Sequence, residues 1–382
     1  MLIRRLLTGL DPRAFCLLTS DQDRYSGEHT QRLAVRCHRL PPVRTRYLSS
    51  TNKWLFGASA LAGAVAGITR RASDIARAAR REGCSGLIAF TGDFHDLPAA
   101  FLASRLLRLP LYVYMCDYYS YRELYEPAWR RLSPHVERLV ARRATRVICG
   151  NETLADALAD RYGIEPAVIH HPADLSLYPD ETRPRGVPSK QDLRMVYTGT
   201  IYDAQLDAVQ NVLAALDLLE GRSASLSVYS GQPQDELRAR GLEGRLIVHP
   251  HAAAPTIAAV QQAADILFLP LAFRSRYPEV IRTSAPMKFG EYLAAGGPIL
   301  VHAPAGSFVS QYCRRYDCAV VIDDPDPVRV AQAIETLAVD QRLRARLVRN
   351  ARERAARDFS IDGARARFCE LLDLAPAPDA LP

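Results

Sequence analysis

Lys288 and Glu291 stand three positions apart in the run Arg282-Thr-Ser-Ala-Pro-Met-Lys-Phe-Gly-Glu-Tyr-Leu-Ala-Ala-Gly-Gly-Pro298. Read as a helix, that spacing puts an ammonium and a carboxylate on one face. Thr283 or Ser284 can cap the helix, and Pro286 falls in its first turn, where a missing N–H is tolerated. Gly296 and Gly297 supply a left-handed stop, Pro298 blocks continuation, and Ile299, Leu300 and Val301 then read as a buried parallel strand. A cation and a carboxylate at the start of such a helix can hold a phosphate and then a ribose, with the positive end of the helix dipole adding to the cation. On this reading Glu291 lies roughly 8–10 Å beyond the first N–H groups, at 1.5 Å per residue. The same spacing also describes an ordinary surface ion pair, so the choice rests on the elements around it.

Other reactive side chains gather where strands end. Asp93, His95 and Asp96 follow the apolar run 86–91, and Asp117 with Tyr118 and Tyr119 follows the run 111–116. Carboxylates and an imidazole at strand ends can recognise an acceptor or take a proton. Equally, Asp93 or Asp96 can cap the following helix and His95 can be a loop residue. Glu152 and the pair His170, His171 divide in the same way between ligand contact and capping or hinge packing. No His/Cys pair has ligand spacing together with a plausible partner, so no metal site is predicted.

The elements that must position these groups alternate. Strands at 86–91, 111–116, 145–149 and 167–170 are separated by helices at 97–107, 123–143 and 154–162, after a helix at 2–10, short apolar runs at 15–19 and 34–40, and a long helix at 55–82. Between 171 and 191 the texture changes, with Pro172, Pro179, Pro184, Gly186 and Pro188 in a polar stretch. Alternation resumes with strands at 194–197, 225–230, 246–248, 266–270, 299–301 and 319–322. Strands alternating with helices predict parallel sheets covered on both faces, hence an α/β chain of two doubly wound domains with a cleft between their strand ends. The predicted division is 1–172, a hinge at 173–192, a second domain at 193–358, and a C-terminal helix and disordered tail at 359–382, the helix packing back on the first domain. Neither domain carries GxGxxG or a P-loop, which argues against a dehydrogenase and a P-loop kinase.

Composition agrees with this division. At 382 residues, with 48% hydrophobic and 24% charged residues, the chain suits two soluble domains with sizeable cores. Its net charge of +7 fits phosphorylated ligands or an anionic membrane surface. Nucleic acid is not predicted, because zinc-finger spacing, an RNP-type motif and a basic tail are lacking. Nearly all the cations are arginine, and Lys288 is one of three lysines. Eight scattered cysteines without a CxxC pair predict reduced thiols and a cytoplasmic setting. The uncharged run 54–68 is too short and too rich in small residues to span a bilayer; beside a basic stretch ending at Arg81 it predicts a buried or peripheral, membrane-touching helix.

In this order and spacing, four stretches resemble the GT-B glycosyltransferases, in particular the family 4-like enzymes (glycosyl transferases group 1). They are Pro286 to Pro298, the glycine turn Val196 to Thr200, the hinge Val168 to Asp174 followed by Tyr178 and Pro179, and Pro110 to Asp117 with Tyr118 and Tyr119. The resemblance implies two Rossmann-like domains and a retaining transfer of a sugar from a nucleotide sugar to a glycan, lipid-linked or small-molecule acceptor. It implies a bacterial-type, cytoplasmic enzyme of polysaccharide biosynthesis that needs no metal or other cofactor; the membrane-touching helix expected at 54–81 adds a peripheral place on the inner face of the membrane. The resemblance assigns Lys288 to the donor phosphates with Arg282 and Ser284 nearby, Glu291 to the ribose, and Gly199 and Thr200 to the phosphates as backbone donors. Asp117, His95 and Asp93 would face the acceptor or the transferred sugar.

The chain departs from that pattern at several points. Thr283 stands eight positions before Glu291, where the family often has a second glutamate; Thr200 follows the glycine turn where the family has a basic residue; and Cys116 precedes Asp117 in place of histidine. Met1 leads directly into a helix, so the family's first strand and its glycine-rich loop are expected to be missing. These losses keep two alternatives open: a non-catalytic partner subunit, and a GT-B sugar-nucleotide epimerase.

Overall fold

The computed structural model describes residues 2–20, 33, 35–41, 43, 53–91, 95–121, 127–179, 192–221 and 223–374. Asp93, most of the proline-rich hinge and the tail beyond 374 lie outside the described residues.

The first half of the chain runs α1 (Leu2–Leu7), β1 (Leu17–Ser20), β2 (Cys37–Leu40), α2 (Lys53–Glu82), β3 (Leu87–Phe90), α3 (Asp96–Leu107), β4 (Leu111–Met115), α4 (Pro127–Arg143), β5 (Arg146–Cys149), α5 (Glu152–Tyr162) and β6 (Ala167–Val168). Strands β3 to β6 form a four-stranded parallel sheet in chain order, and β1 and β2 form a separate parallel pair. No strand precedes α1 among the described residues, which begin at Leu2.

The second half runs β7 (Asp192–Thr198), α6 (Leu206–Asp217), β8 (Ser223–Tyr229), α7 (Gln234–Ala239), β9 (Leu246–His249), α8 (Ala254–Gln262), β10 (Ile266–Pro270), α9 (Pro278–Thr283), α10 (Lys288–Ala295), β11 (Ile299–His302), α11 (Phe308–Tyr316), β12 (Val320–Ile322), α12 (Pro327–Val339), α13 (Gln341–Asp358) and α14 (Ile361–Leu371). Its six strands are parallel in the order β12-β11-β10-β7-β8-β9, a doubly wound sheet whose order reverses between β7 and β10. Side chains alternate across it as a strand's period of two requires. Val196, Leu267, Leu269, Ile299 and Val301 enter one core, and Met195, Tyr197, Ile266, Phe268 and Leu300 enter the other.

Three details differ from the sequence reading. The helix expected to start at Thr283 or Ser284 is two helices: α9 ends at Thr283, Ser284 is extended, and α10 starts at Lys288 without a side-chain cap. Pro286 therefore lies in the linker between them, because Ser284 has left helical geometry. Helices α7 and α11, absent from the sequence reading, also form. The strand expected at 167–170 is only two residues long, since the chain turns there toward the second domain.

The two halves are joined by more than the hinge. Helix α1 buries Leu2, Leu6 and Leu7 against Ala364, Phe368 and Leu371 of α14, and the same cluster takes in Tyr114, Ile148 and Ile169 beneath the first sheet. Asn151 caps α5 by accepting from the Leu154 N–H (2.9 Å) and donates through Nδ2 to the Thr283 carbonyl of α9 (2.9 Å). His171 Nδ1 donates to the Ala285 carbonyl (3.0 Å), and burial pulls its pKa down to about 4, so the ring is neutral. His170 stacks on Phe359 at 4.9 Å between ring centroids and bonds Glu152 (3.0 Å).

Asn151 thus serves both a helix cap and an inter-domain bond in a fully buried position. We expect Asn151→Ala to destabilise the protein by about 2 kcal/mol, the sum of a lost cap and a buried carbonyl left without its donor. Urea denaturation of the two proteins checks this, and an unchanged midpoint would remove the bond from the account of the joint.

Candidate functional site

The site grows from the end of β7. Gly199 follows it with φ +130°, a conformation that side chains rarely adopt, and its N–H is bonded to the Tyr229 carbonyl of β8 (2.9 Å). A Cβ at Gly199 would lie 2.8 Å from Lys288 Nζ, so the glycine is required by the backbone and by the lysine packed on it. Lys288 Nζ donates to the Tyr197 hydroxyl (2.8 Å) and sits 4.1 Å from the centroid of that ring. The Tyr197 hydroxyl in turn donates to the Thr200 carbonyl (3.0 Å). Burial lowers the Lys288 pKa to about 8, opposed by the Glu291 carboxylate.

Lys288 and Glu291 do not pair with each other but turn to different partners. Glu291 Oε1 accepts from Arg5 of α1 (2.6 Å), whose other terminal nitrogen donates to the Pro172 carbonyl (2.7 Å). Behind Glu291 stands a buried chain in which Tyr178 donates to Gln261 Oε1 (2.5 Å) and Gln261 donates to Thr198 Oγ1 (3.0 Å). Tyr292 completes the wall by accepting from the Thr198 N–H (2.9 Å). The ordinary surface ion pair is therefore excluded.

Two of the expected roles change. The Gly199 N–H is committed to the sheet, so it is not a phosphate donor; of the two backbone donors expected at the turn, the Thr200 N–H remains. Glu291 lies in the first turn of α10 and not 8–10 Å along a longer helix, so the cation and the carboxylate are about 4.5 Å apart along the axis.

The remaining candidates are dispersed. Arg282 is paired with Glu279 on its own helix (2.9 Å) and lies close enough to Tyr118 to act on its phenol. Ser284 closes α9 through its N–H to the Ile281 carbonyl (3.3 Å). Asp117 is exposed at the end of β4 beside the buried Tyr118. His95, expected to face the cleft, is 5% exposed and packs against Gly67 of α2, because α2 covers the strand end from which it emerges. Thr283 is buried, with its hydroxyl on the Glu279 carbonyl (3.0 Å), and does not take the place of the missing glutamate.

Sequence reasoning missed Arg5 and Gln261. Arg5 is 286 positions from Glu291, and nothing local marks it. The Tyr178-Pro179 motif was the available signal for the wall that Gln261 completes. Among the described residues no three His, Cys, Asp or Glu side chains form a cluster that could hold a metal ion, and no helix is long and apolar enough to cross a membrane. The cysteines are all free thiols.

This arrangement offers one ammonium, a helix N-terminus and a backbone N–H to an anion, with a carboxylate one turn away for vicinal hydroxyls. An ammonium near pKa 8 loses its charge as pH rises through that value, whereas a bound diphosphate favours the charged form and raises its pKa. Affinity for a nucleoside diphosphate is therefore expected to fall above about pH 8, with proton uptake on binding in that range. Calorimetry in buffers of different ionisation enthalpy reads both, and a flat profile from pH 7 to 9.5 would remove Lys288 from the anion site.

Comparison with known proteins agrees with this geometry. Residues 192–340 match the family model described as Glycosyl transferases group 1. No curated protein matches the chain in sequence. Among solved structures, sucrose-phosphate synthase from Thermosynechococcus elongatus is similar at a TM-score of 0.65 and 12% identity, covering 94% of this chain and 88% of its own. WaaG, a glycosyltransferase involved in lipopolysaccharide biosynthesis, is similar at 0.60 and 14% identity, covering 97% and 95%. Anabaena HepE, solved with UDP and glucose, is similar at 0.58 and 16% identity, covering 79% and 81%. The chain has the two-domain GT-B fold, and residues 192–340, in its second domain, are similar to the glycosyl transferases group 1 family.

Proposed function

We propose that this protein transfers a glycosyl group from a nucleoside diphosphate sugar to a glycan, lipid-linked or small-molecule acceptor, with retention of configuration and without a metal ion. The observation that carries the reading is the Lys288 ammonium held against Gly199, with Glu291 one turn along the same helix. In the reaction the bond from the anomeric carbon to the phosphate oxygen breaks and its electron pair leaves with the diphosphate. The acceptor hydroxyl oxygen bonds the same carbon and gives up its proton to an oxygen of the departing phosphate. Negative charge grows on the departing phosphates, and preorganised donors aimed there lower the barrier. Lys288, the start of α10 and the Thr200 N–H would supply that charge, which is the reason for proposing that no divalent cation is needed. Glu291 would accept from the ribose hydroxyls, with Arg5 and Gln261 fixing its orientation. Asp117, exposed at a strand end of the first domain, is the candidate to face the acceptor.

A place on the inner face of a membrane is part of the proposal. Its support is the α2 helix, whose second half carries Arg70, Arg77, Arg80 and Arg81 and whose Val65 is exposed. A non-catalytic partner subunit is the second reading, favoured by the buried Thr283 in place of a glutamate.

A thermal-shift screen with UDP, GDP, dTDP and CDP sugars separates the two readings, because a ligand that binds only the native state raises the melting temperature. We expect one nucleotide series to stabilise the protein and Lys288→Ala and Glu291→Ala each to abolish that shift. No shift with any of them would favour the partner subunit. Transfer activity, once the donor is found, is expected to survive EDTA; its loss and recovery with magnesium would overturn the metal-independent reading.

A further inference from the structure

A pocket of about 520 Å³ opens on the side of the first domain between α4 and α5, and Tyr277 of the second domain, just before α9, forms part of its wall. Its cations are Arg130 and Arg138 of α4 and Arg161 of α5. Arg130 and Arg138 are eight positions apart, so they are offset by about 80° around the helix and lie about 12 Å from each other along its axis. Among the described residues the pocket lining contains no carboxylate. Glu137, on the same helix, is turned inward: it is 1% exposed, accepting from the Tyr162 hydroxyl (2.6 Å) and the Ser120 N–H (2.6 Å).

Some surface arginines of this chain carry acidic partners, as in Arg245–Asp217, Arg329–Asp324 and Arg346–Asp317, and others do not; what sets this group apart is that three of them line one pocket. Among the described residues Arg130, Arg138 and Arg161 form no ion pair with a carboxylate. Arg161 is nevertheless held in place. It donates to the Tyr121 hydroxyl (3.0 Å), and its guanidinium lies 4.8 Å and 5.3 Å from the ring centroids of Tyr118 and Tyr121. A fixed, planar guanidinium beside two further arginines is suited to the oxygens of a phosphate, and the tyrosine walls are suited to a sugar ring.

The pocket is also continuous with the site. Tyr121 packs on Tyr118 (5.0 Å between centroids), which follows Asp117, and on Tyr277 (6.1 Å), which leads through α9 toward the Lys288 helix. We propose that this pocket binds a sugar phosphate, the phosphate-bearing part of the acceptor, with Arg130, Arg138 and Arg161 on the phosphate. The inference rests on the sugar-transfer reading for the word acceptor, but the anion site can be tested independently of it.

The test uses the full chain carrying Lys288→Ala, so that phosphate binding at the donor site does not contribute. Glucose 1-phosphate is titrated calorimetrically into that protein, into the same protein with Arg130→Glu/Arg138→Glu, and into one with Arg131→Glu/Arg142→Glu. The last pair is an equal change of charge on exposed residues of the same helix that do not line the pocket. The expected result is at least tenfold weaker binding for the first pair and less than threefold for the second. Flotation with phosphatidylcholine vesicles, with and without phosphatidylglycerol, identifies the source of the phosphate. Vesicle binding that needs phosphatidylglycerol and is lost only with the first pair assigns a lipid-borne phosphate. Glucose 1-phosphate binding lost only with the first pair assigns a soluble one, and either upholds the proposal. Equal loss with both pairs, or no binding of either probe, overturns it. If no nucleotide binds the unaltered protein while glucose 1-phosphate does, the donor reading fails and the anion pocket stands.

Discussion

The site depends on an ammonium held against a glycine at the end of a buried parallel strand. Lys288 reaches over Gly199 to the Tyr197 hydroxyl, and burial brings its pKa from 10.5 to about 8. A shift of that size corresponds to about 3 kcal/mol of unfavourable burial of the charge, as an upper figure because the residue retains some solvent contact. The sign follows from the depressed pKa: the penalty is fully present below about pH 8 and fades as pH rises toward the unfolded value. A bound anion would relieve it at neutral pH. A folded chain that tolerates such a penalty beside a helix N-terminus has a place prepared for negative charge.

The elements around α10 keep that lysine in position. Gly290 leaves room for Phe359, to which a Cβ would come within 2.8 Å, and Gly296 ends the helix at φ +77° against Arg352. Phe359 in turn stacks on His170 of the first domain. The helix that bears Lys288 and Glu291 is thus packed on the crossover from α13 to α14 and, through it, on the other domain. Arg5 adds a direct bond from α1 to Glu291. Placement of the site and joining of the domains are therefore one structural problem, and any motion that opens the cleft must break or stretch the Arg5–Glu291 and Asn151–Thr283 bonds.

The departures from the family pattern have structural counterparts. Thr283, in place of a glutamate, is buried and bonded to its own helix; Thr200, in place of a basic residue, receives a hydrogen bond from Tyr197 through its carbonyl. Of the residues proposed for the donor phosphates, only Lys288 carries a formal charge. Arg282, expected to assist, is paired with Glu279 and lies by Tyr118 of the first domain, so it belongs to the joint more than to the phosphates.

The sequence by itself determined the α/β character, the alternation of strands and helices, and the strand at Ile266–Pro270 to the residue. These follow from local hydrophobic period and from glycine and proline positions, which do not need the rest of the chain. Helix spacing put Lys288 and Glu291 on one face, and the resemblance to the family added Gly199 to them. The sequence reading misplaced the start of the lysine helix, since Thr283 and Ser284 look like caps and only packing of α9 on α5 makes Thr283 the end of a separate helix. It set His95 in the cleft because a strand end does not reveal that α2 will cover it. Arg5, Gln261 and the pocket between α4 and α5 depend on contacts between residues far apart in the chain. Such contacts leave no local pattern, and the tertiary structure alone decides them.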